Sequence, residues 1–136
     1  ELGRMEKAGW IRSDADPDAG RTRKRSYTVL PAGREELARW AGEAAPLPEL
    51  RDEFMVRLRA DAVAGPFGLR PELERRRSLH ADKLHAYRAI EARDFPPEAE
   101  PTRQRRIHHL ILKAGIQYEQ NWIAWYDEAL QALSED

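Results

Sequence analysis

The segment Asp16–Gly33 decides the fold of this chain, and it runs Asp-Pro-Asp-Ala-Gly-Arg-Thr-Arg-Lys-Arg-Ser-Tyr-Thr-Val-Leu-Pro-Ala-Gly. Pro17 and Gly20 supply the turn residues that let a backbone reverse its direction. Short apolar stretches around Ile11 and Val29 flank this turn and have the composition of β-strands. The sequence therefore predicts a β-hairpin with a charged turn.

The predicted turn carries a high density of positive charge. Its basic residues are Arg21, Arg23, Lys24 and Arg25, which are four cations within five residues. They cannot all be paired locally, and an unpaired charge is costly to bury. A nucleic-acid backbone would neutralise them. We therefore expect the hairpin to contact phosphates rather than a protein core.

Helical patterns lie on both sides of the hairpin. Glu1–Ala8 has apolar residues three positions apart and is followed by Gly9, which is typical of a helix C-terminus. Pro31–Leu37 reads as the tight entry into another helix, on which Leu37 and Trp40, three residues apart, would pack back against the hairpin. The order helix, strand, basic turn, strand, helix is that of the second half of a winged helix-turn-helix.

In this order and spacing, the chain resembles the PadR family of bacterial transcriptional regulators. The segments that carry the resemblance are Glu1–Gly9, the wing Gly20–Lys24, Tyr27–Glu35 and Leu50–Phe54. It implies a mainly α fold with one β-hairpin, in which a partial winged helix-turn-helix is followed by an α-helical dimerisation domain. Family members usually have two further helices and the start of the recognition helix before this chain's first residue, so we expect a fragment that lacks the N-terminal part. Where the family usually has a capping Thr, this chain has Leu30, which offers no side-chain acceptor.

The resemblance also assigns a function. It implies a sequence-specific transcriptional regulator, a repressor released by a small molecule, in the bacterial cytoplasm. Double-stranded DNA would be bound by the end of the recognition helix and by the wing, through Arg4, Gly20, Arg21, Arg23 and Lys24. Solvation alone is an equal explanation for Arg4. A winged helix can also serve protein contacts, so an interaction or assembly module without DNA binding is the alternative.

Two prolines mark the predicted domain boundary. Pro46 and Pro48 cannot continue a helix, so we place the winged-helix part in residues 1–45 and the dimerisation domain in residues 46–136. Residues 1–34 hold eight basic and five acidic residues, whereas the remainder holds fifteen basic and nineteen acidic ones. This distribution favours a nucleic-acid surface joined to a domain that does not contact nucleic acid.

The second part reads as three helices. An apolar stripe from Leu50 to Ala62 predicts the first, and Leu69–Arg93 predicts a long, highly charged second helix with His80 on its apolar side. Its cluster Arg75–Arg77 is either a second nucleic-acid patch or a salt-bridged face, and the nearby acids at helical spacing favour the latter. The third helix runs from about Thr102 to Leu133, and its apolar surface is too wide for one neighbouring helix to cover. We predict a homodimer through Ile107, Ile111, Tyr118 and Trp122.

Four aromatic residues are concentrated within two turns of the last helix: Tyr118, Trp122, Trp125 and Tyr126. Because members of the resembled family respond to aromatic or apolar small molecules, these rings are a candidate effector pocket. The alternative is that they fill the core and the dimer interface, as aromatics at helical spacing usually do.

Other chemistry has little support in the sequence. The chain has 136 residues and no cysteine, which excludes disulfides and thiolate catalysis. Its four histidines lack the spacing for a shared metal ion. The sequence contains no Gly-rich phosphate loop and no catalytic triad pattern, so an enzyme is the weaker class, and no cofactor is expected. No apolar run approaches the length of a membrane span, so we expect no membrane association.

Overall fold

A computed structural model describes residues 1–15 and 25–134 and divides the chain into two compact units, residues 1–50 and 51–136. The first unit consists of α1 (Leu2–Lys7), β1 (Ile11–Ala15), β2 (Arg25–Val29) and α2 (Pro31–Ala41). The second consists of α3 (Glu53–Ala64), α4 (Arg70–Asp94) and α5 (Arg103–Ala132). The predicted fold class, mainly α with one β-hairpin, is confirmed.

Helix α1 ends in a turn that leads directly into the hairpin. Gly9 has a φ of 72°, a left-handed conformation that glycine adopts without a steric penalty. The backbone N–H of Trp10 donates to the carbonyl of Met5 at 3.0 Å, and that of Gly9 donates to the carbonyl of Glu6 at 3.0 Å. These two bonds form a Schellman motif, so the direction of β1 relative to α1 is set by hydrogen-bonded backbone.

The hairpin is antiparallel, with Ile11 opposite Val29 and Ser13 opposite Tyr27. At its base the N–H of Leu30 donates to the carbonyl of Trp10 at 2.8 Å. The residues between the strands, 16–24, lie outside the described residues.

Helix α2 packs tightly against the base of the hairpin through Gly33. A Cβ at this position would overlap with the backbone carbonyl of Trp10, so the close approach requires glycine. The helix begins after Leu30 without a side-chain cap, as expected.

One packing expectation was wrong. The three-residue spacing of Leu37 and Trp40 predicts that both pack back onto the hairpin, yet Trp40 is 65% exposed. The two side chains line an open groove of about 410 Å³ together with Met5 and Trp10. A two-stranded sheet is too small to cover the whole apolar face of α2.

The second unit is organised around an antiparallel pair of helices, α4 and α5. The fully buried side chains at its centre are those of Phe54, Leu73 and Tyr126, one from each helix. The apolar side chains that pack around them are those of Leu58, Trp122, Trp125, Ala129, Leu130 and Leu133. Burial therefore joins α3 and the start of α4 to the C-terminal half of α5.

The arginine cluster of α4 is a salt-bridged face, as predicted. Arg75 and Arg76 both bond to Glu72, and together they lower the pKa of that carboxyl to about 2, Arg75 being the larger cause. Arg77 reaches across to Asp127 on α5. The partners at Asp127 and Asp52 could not be identified from helical spacing because they lie on other helices.

Asp52 holds the start of α3 to α4. Its carboxylate accepts from the backbone N–H of Phe54 at 2.9 Å and pairs with the guanidinium of Arg76 at 3.0 Å. The same guanidinium lies over the Phe54 ring, 4.4 Å from the centroid. One carboxylate thus caps a helix and fixes the cation that covers the core.

We expect Asp52→Ala to lower the free energy of unfolding by about 1–2 kcal/mol, because it removes the cap and leaves Arg76 with fewer partners. Urea unfolding followed by far-UV circular dichroism measures this change. Asp52→Asn is the matched control, since it retains the cap without the charge, and it should cost less. Equal losses in both variants would assign the effect to the ion pair alone.

Candidate nucleic-acid interface

The structure describes Arg4, one of the five predicted DNA-binding residues. Arg4 lies on the exposed side of α1, and its guanidinium pairs with the carboxylate of Glu1 one turn earlier. An exposed pair of this kind contributes little to stability, so the guanidinium remains able to exchange its partner for a phosphate. Gly20, Arg21, Arg23 and Lys24 lie in the segment outside the described residues, and their role stays a prediction.

Both strands carry charged side chains near the turn. Arg25 begins β2 and is exposed. Arg12 on β1 is also exposed and lies 3.3 Å from Asp14. Asp14 also accepts a hydrogen bond from the Thr28 hydroxyl at 3.2 Å, so this acid is engaged across the hairpin.

A side-chain contact that sequence reasoning missed joins α1 to β1. One carboxylate oxygen of Glu6 accepts from the backbone N–H of Ser13 at 2.9 Å and from the Ser13 hydroxyl at 2.6 Å. The two bonds from Ser13, with a smaller contribution from Arg25, hold the pKa of the Glu6 carboxyl below its usual range. No periodicity predicts this contact, because it joins residues seven positions apart in different elements.

The predicted dimer residues are split between two environments. Ile107, Ile111 and Tyr118 are 38%, 67% and 56% exposed on α5. Leu110, which the sequence reasoning left out, is exposed beside them. Trp122, in contrast, packs inside the second unit. The described chain therefore leaves an apolar stripe open on the first half of α5.

The four aromatic residues of the candidate effector pocket do come together. The ring centroids of Trp122 and Trp125 lie 5.6 Å apart, and each is within 5.6 Å of Tyr126. The ring centroid of Tyr118 lies 6.3 Å from those of Trp122 and His80, and its side chain is 56% exposed. Tyr126 belongs to the buried core, so one member of the set serves packing.

His80 of α4 completes this aromatic cluster. Its ring stacks on Trp122 at 5.8 Å and on Tyr126 at 5.6 Å. Its Nδ1 contacts the carboxylate of Glu119, which is buried. The sequence places His80 on the apolar side of α4, but the buried partner Glu119 was missed because a charged residue is not expected inside.

The described residues hold neither a metal-binding cluster nor a membrane-spanning helix. Within residues 1–15 and 25–134, no group of three or more His, Cys, Asp or Glu side chains is arranged to hold a metal ion. None of the helices there is long and apolar enough to cross a bilayer.

Comparisons with known proteins agree with this arrangement. The family described as virulence activator alpha C-term matches residues 50–134. The chain is 30% identical to the probable transcriptional regulator Rv1176c of Mycobacterium tuberculosis, over 96% of the chain and 75% of that protein. It is 25% identical to the negative transcriptional regulator PadR of Bacillus subtilis, over 100% of the chain and 76% of that protein.

Solved structures show the same fold. The virulence activator AphA of Vibrio cholerae superimposes with a TM-score of 0.79 at 27% identity, covering 98% of this chain and 74% of that one. The structure of Bacillus subtilis PadR in complex with operator DNA superimposes with a TM-score of 0.78 at 20% identity, and the match covers 96% of this chain and 74% of that one. The structure of the same protein in complex with p-coumaric acid superimposes with a TM-score of 0.74 at 22% identity, and the match covers 98% of this chain and 74% of that one.

A helix, a two-stranded wing and a second helix, followed by a helical unit, are the winged-helix architecture that these solved regulators share. The chain belongs to the PadR-like family of transcriptional regulators. The resemblance on which the sequence analysis relied is thereby confirmed, and the curated relatives are regulators rather than enzymes.

Proposed function

We propose that this chain functions as a sequence-specific DNA-binding repressor that a small molecule releases from its operator. The observation that carries the proposal is the exposed hairpin with its basic connecting run, held against α1 in a chain of the PadR-like family. Bacillus subtilis PadR has been solved with operator DNA, which supports the same partner here. In this proposal Arg4 and the wing cations contact phosphates and position the protein on the duplex.

The regulator would act as a homodimer. The open stripe on α5 contains Ile107, Ile111 and Tyr118, and a second copy of the chain is the partner that would cover it. Two-fold symmetry would then present two wings to a palindromic site, about one helical turn apart. Trp122 would support this face from within the unit, because it contacts Tyr118 but is itself largely enclosed.

We propose that the protein is a repressor rather than an activator of transcription. The relative that matches the whole chain is a negative regulator, whereas the similar solved structure from Vibrio cholerae is a virulence activator. A reporter gene under a promoter that the protein binds distinguishes the two signs. Expression that falls when the protein is supplied supports a repressor, and expression that rises contradicts it.

The experiment that tests DNA binding is a titration of duplex DNA with the full-length protein at several salt concentrations. The logarithm of the affinity should fall with the logarithm of salt by about 0.9 for each phosphate contact. Absence of binding at low salt would contradict DNA binding and favour the protein-interaction alternative. Binding that does not depend on salt would contradict the phosphate-contacting role of the wing.

The aromatic cluster is the proposed effector site. Trp122 and Trp125 are partly buried rather than fully enclosed, which leaves ring surface on the second unit. The complex of Bacillus subtilis PadR with p-coumaric acid supports an aromatic ligand. To release DNA, the ligand must bind the DNA-incompetent arrangement more tightly than the competent one, by about 5.5 kcal/mol for a shift from 1:99 to 99:1.

We expect planar phenolic and polyaromatic compounds to quench the tryptophan emission saturably and to release DNA over the same concentration range. Trp10 and Trp40 also emit, so Trp122→Phe and Trp125→Phe are needed to assign the signal. Quenching that disappears in these two variants and persists in Trp40→Phe supports the site. A broad panel without a saturable response would mean that the rings serve packing alone.

A further inference from the structure

The contact between Glu6 and Ser13 lies where a helix meets the free edge of the wing. Among the residues that the structure describes, the sheet has two strands, so β1 pairs with β2 along one edge only. On its other edge, the N–H of Ser13 donates to the Glu6 carboxylate at 2.9 Å, and the Ser13 hydroxyl donates to the same oxygen at 2.6 Å. An edge amide that would otherwise face water is thereby tied to α1.

This contact adds a third point of attachment to two backbone ones. The Schellman turn at Gly9 connects α1 to β1, and the bond from Leu30 to the Trp10 carbonyl closes the base of the hairpin. Both lie at the base, where small changes in dihedral angles would still let the hairpin tilt. Ser13 is three residues further along β1 than Trp10, so its contact resists that tilt.

The negative charge of Glu6 is unfavourable for DNA binding at this position. A carboxylate beside a basic hairpin repels the phosphates that the hairpin is proposed to contact. If electrostatics alone mattered, removing this charge would tighten DNA binding. A carboxylate that accepts two hydrogen bonds from the wing has a structural reason to be there despite this repulsion.

We propose that Glu6 is a positioning residue for DNA binding, which fixes the wing relative to α1 through Ser13 without contacting DNA itself. The inference rests on the proposed DNA-binding function. Without the contact, the hairpin occupies several orientations, of which one matches the duplex. The apparent affinity then falls in proportion to the fraction of molecules in the competent orientation.

The test measures the affinity of the full-length protein for a labelled mixed-sequence DNA duplex by fluorescence anisotropy at low salt. We expect Glu6→Ala to weaken binding by roughly three- to tenfold. Ser13→Ala, which changes no charge, should weaken it by a smaller factor. The double variant should lose less than the product of the two single losses, because both substitutions break the same contact. Glu6→Gln retains an acceptor oxygen and should bind at least as well as Glu6→Ala.

Glu36→Ala is the matched control, since it removes the same charge from the same unit and its hydrogen-bonded partner, Arg39, is also on α2. It should leave the affinity unchanged or slightly higher. Circular dichroism and the melting temperature verify that each variant is folded. If Glu6→Ala does not fold, the affinity of Ser13→Ala tests the inference instead. Tighter or equal binding by Glu6→Ala, with normal binding by the unmodified chain, overturns this inference alone. Failure of the unmodified chain to bind overturns the proposed function and the inference together.

Discussion

Replacing Arg21, Arg23 and Lys24 together by Ala should weaken DNA binding by about two to three orders of magnitude at 0.1 M salt. Each cation that neutralises a phosphate contributes about 0.9 to the slope of affinity against salt, both on logarithmic scales. Between 1 M and 0.1 M salt, that slope means that each phosphate contact raises the affinity nearly tenfold. The loss should be similar on all DNA sequences, because contacts to phosphates carry no base information.

Salt titrations of the unmodified chain and the triple variant measure this effect, and the slope should fall by about three units. A second triple variant, Arg57→Ala with Lys83→Ala and Arg88→Ala, removes the same charge from exposed positions of the second unit. It should change the slope far less. An unchanged affinity and slope in the wing variant would remove the wing from the DNA-binding surface.

Ile111→Glu should dissociate the proposed homodimer. Burial of an isoleucine side chain at an interface contributes about 2 kcal/mol, and the two-fold axis repeats the loss in the partner chain. A total of about 4 kcal/mol corresponds to roughly a thousandfold weaker association. Because Ile111 is 67% exposed in the single chain, the variant should remain folded as a monomer. Loss of the dimer should also weaken binding to a palindromic site.

Sedimentation equilibrium over a range of protein concentrations measures the association. Gln120→Glu is the control, because it adds the same charge to an exposed position on the opposite side of α5. It should leave the dimer intact. If the unmodified chain is a monomer at micromolar concentration, the dimer proposal fails, and the stripe on α5 needs another partner.

The elements that carry local signals were predicted well. Turn residues with flanking apolar residues predicted the hairpin, and the glycine after α1 predicted the end of that helix, because both signals act between neighbouring residues. The salt-bridged face of α4 was predicted from i, i+3 and i, i+4 spacing. The exposure of Leu37 and Trp40 was not predicted, since it depends on how much of α2 the small sheet can cover.

The candidate sites were predicted unevenly for the same reason. Helical spacing brought Tyr118, Trp122, Trp125 and Tyr126 to one region, and in the structure their rings lie in contact. Helical spacing alone could not distinguish the environment of Trp122, which packs inside the unit, from that of Ile111, which lies on the open stripe. Which side of a wide apolar helix faces its own chain depends on the neighbouring helices, and periodicity does not encode them.

The sequence by itself determined the order of the helices and strands, the basic run between the strands and the family, because these depend on local propensity and on motifs in a fixed order. Only the tertiary structure decided which partner each of three carboxylates meets: Ser13 for Glu6, Arg76 for Asp52, and His80 for Glu119. Each of these contacts joins residues from different elements. The energy of a hydrogen bond or ion pair depends on distances of a few ångströms in space, and separation along the chain does not fix those distances.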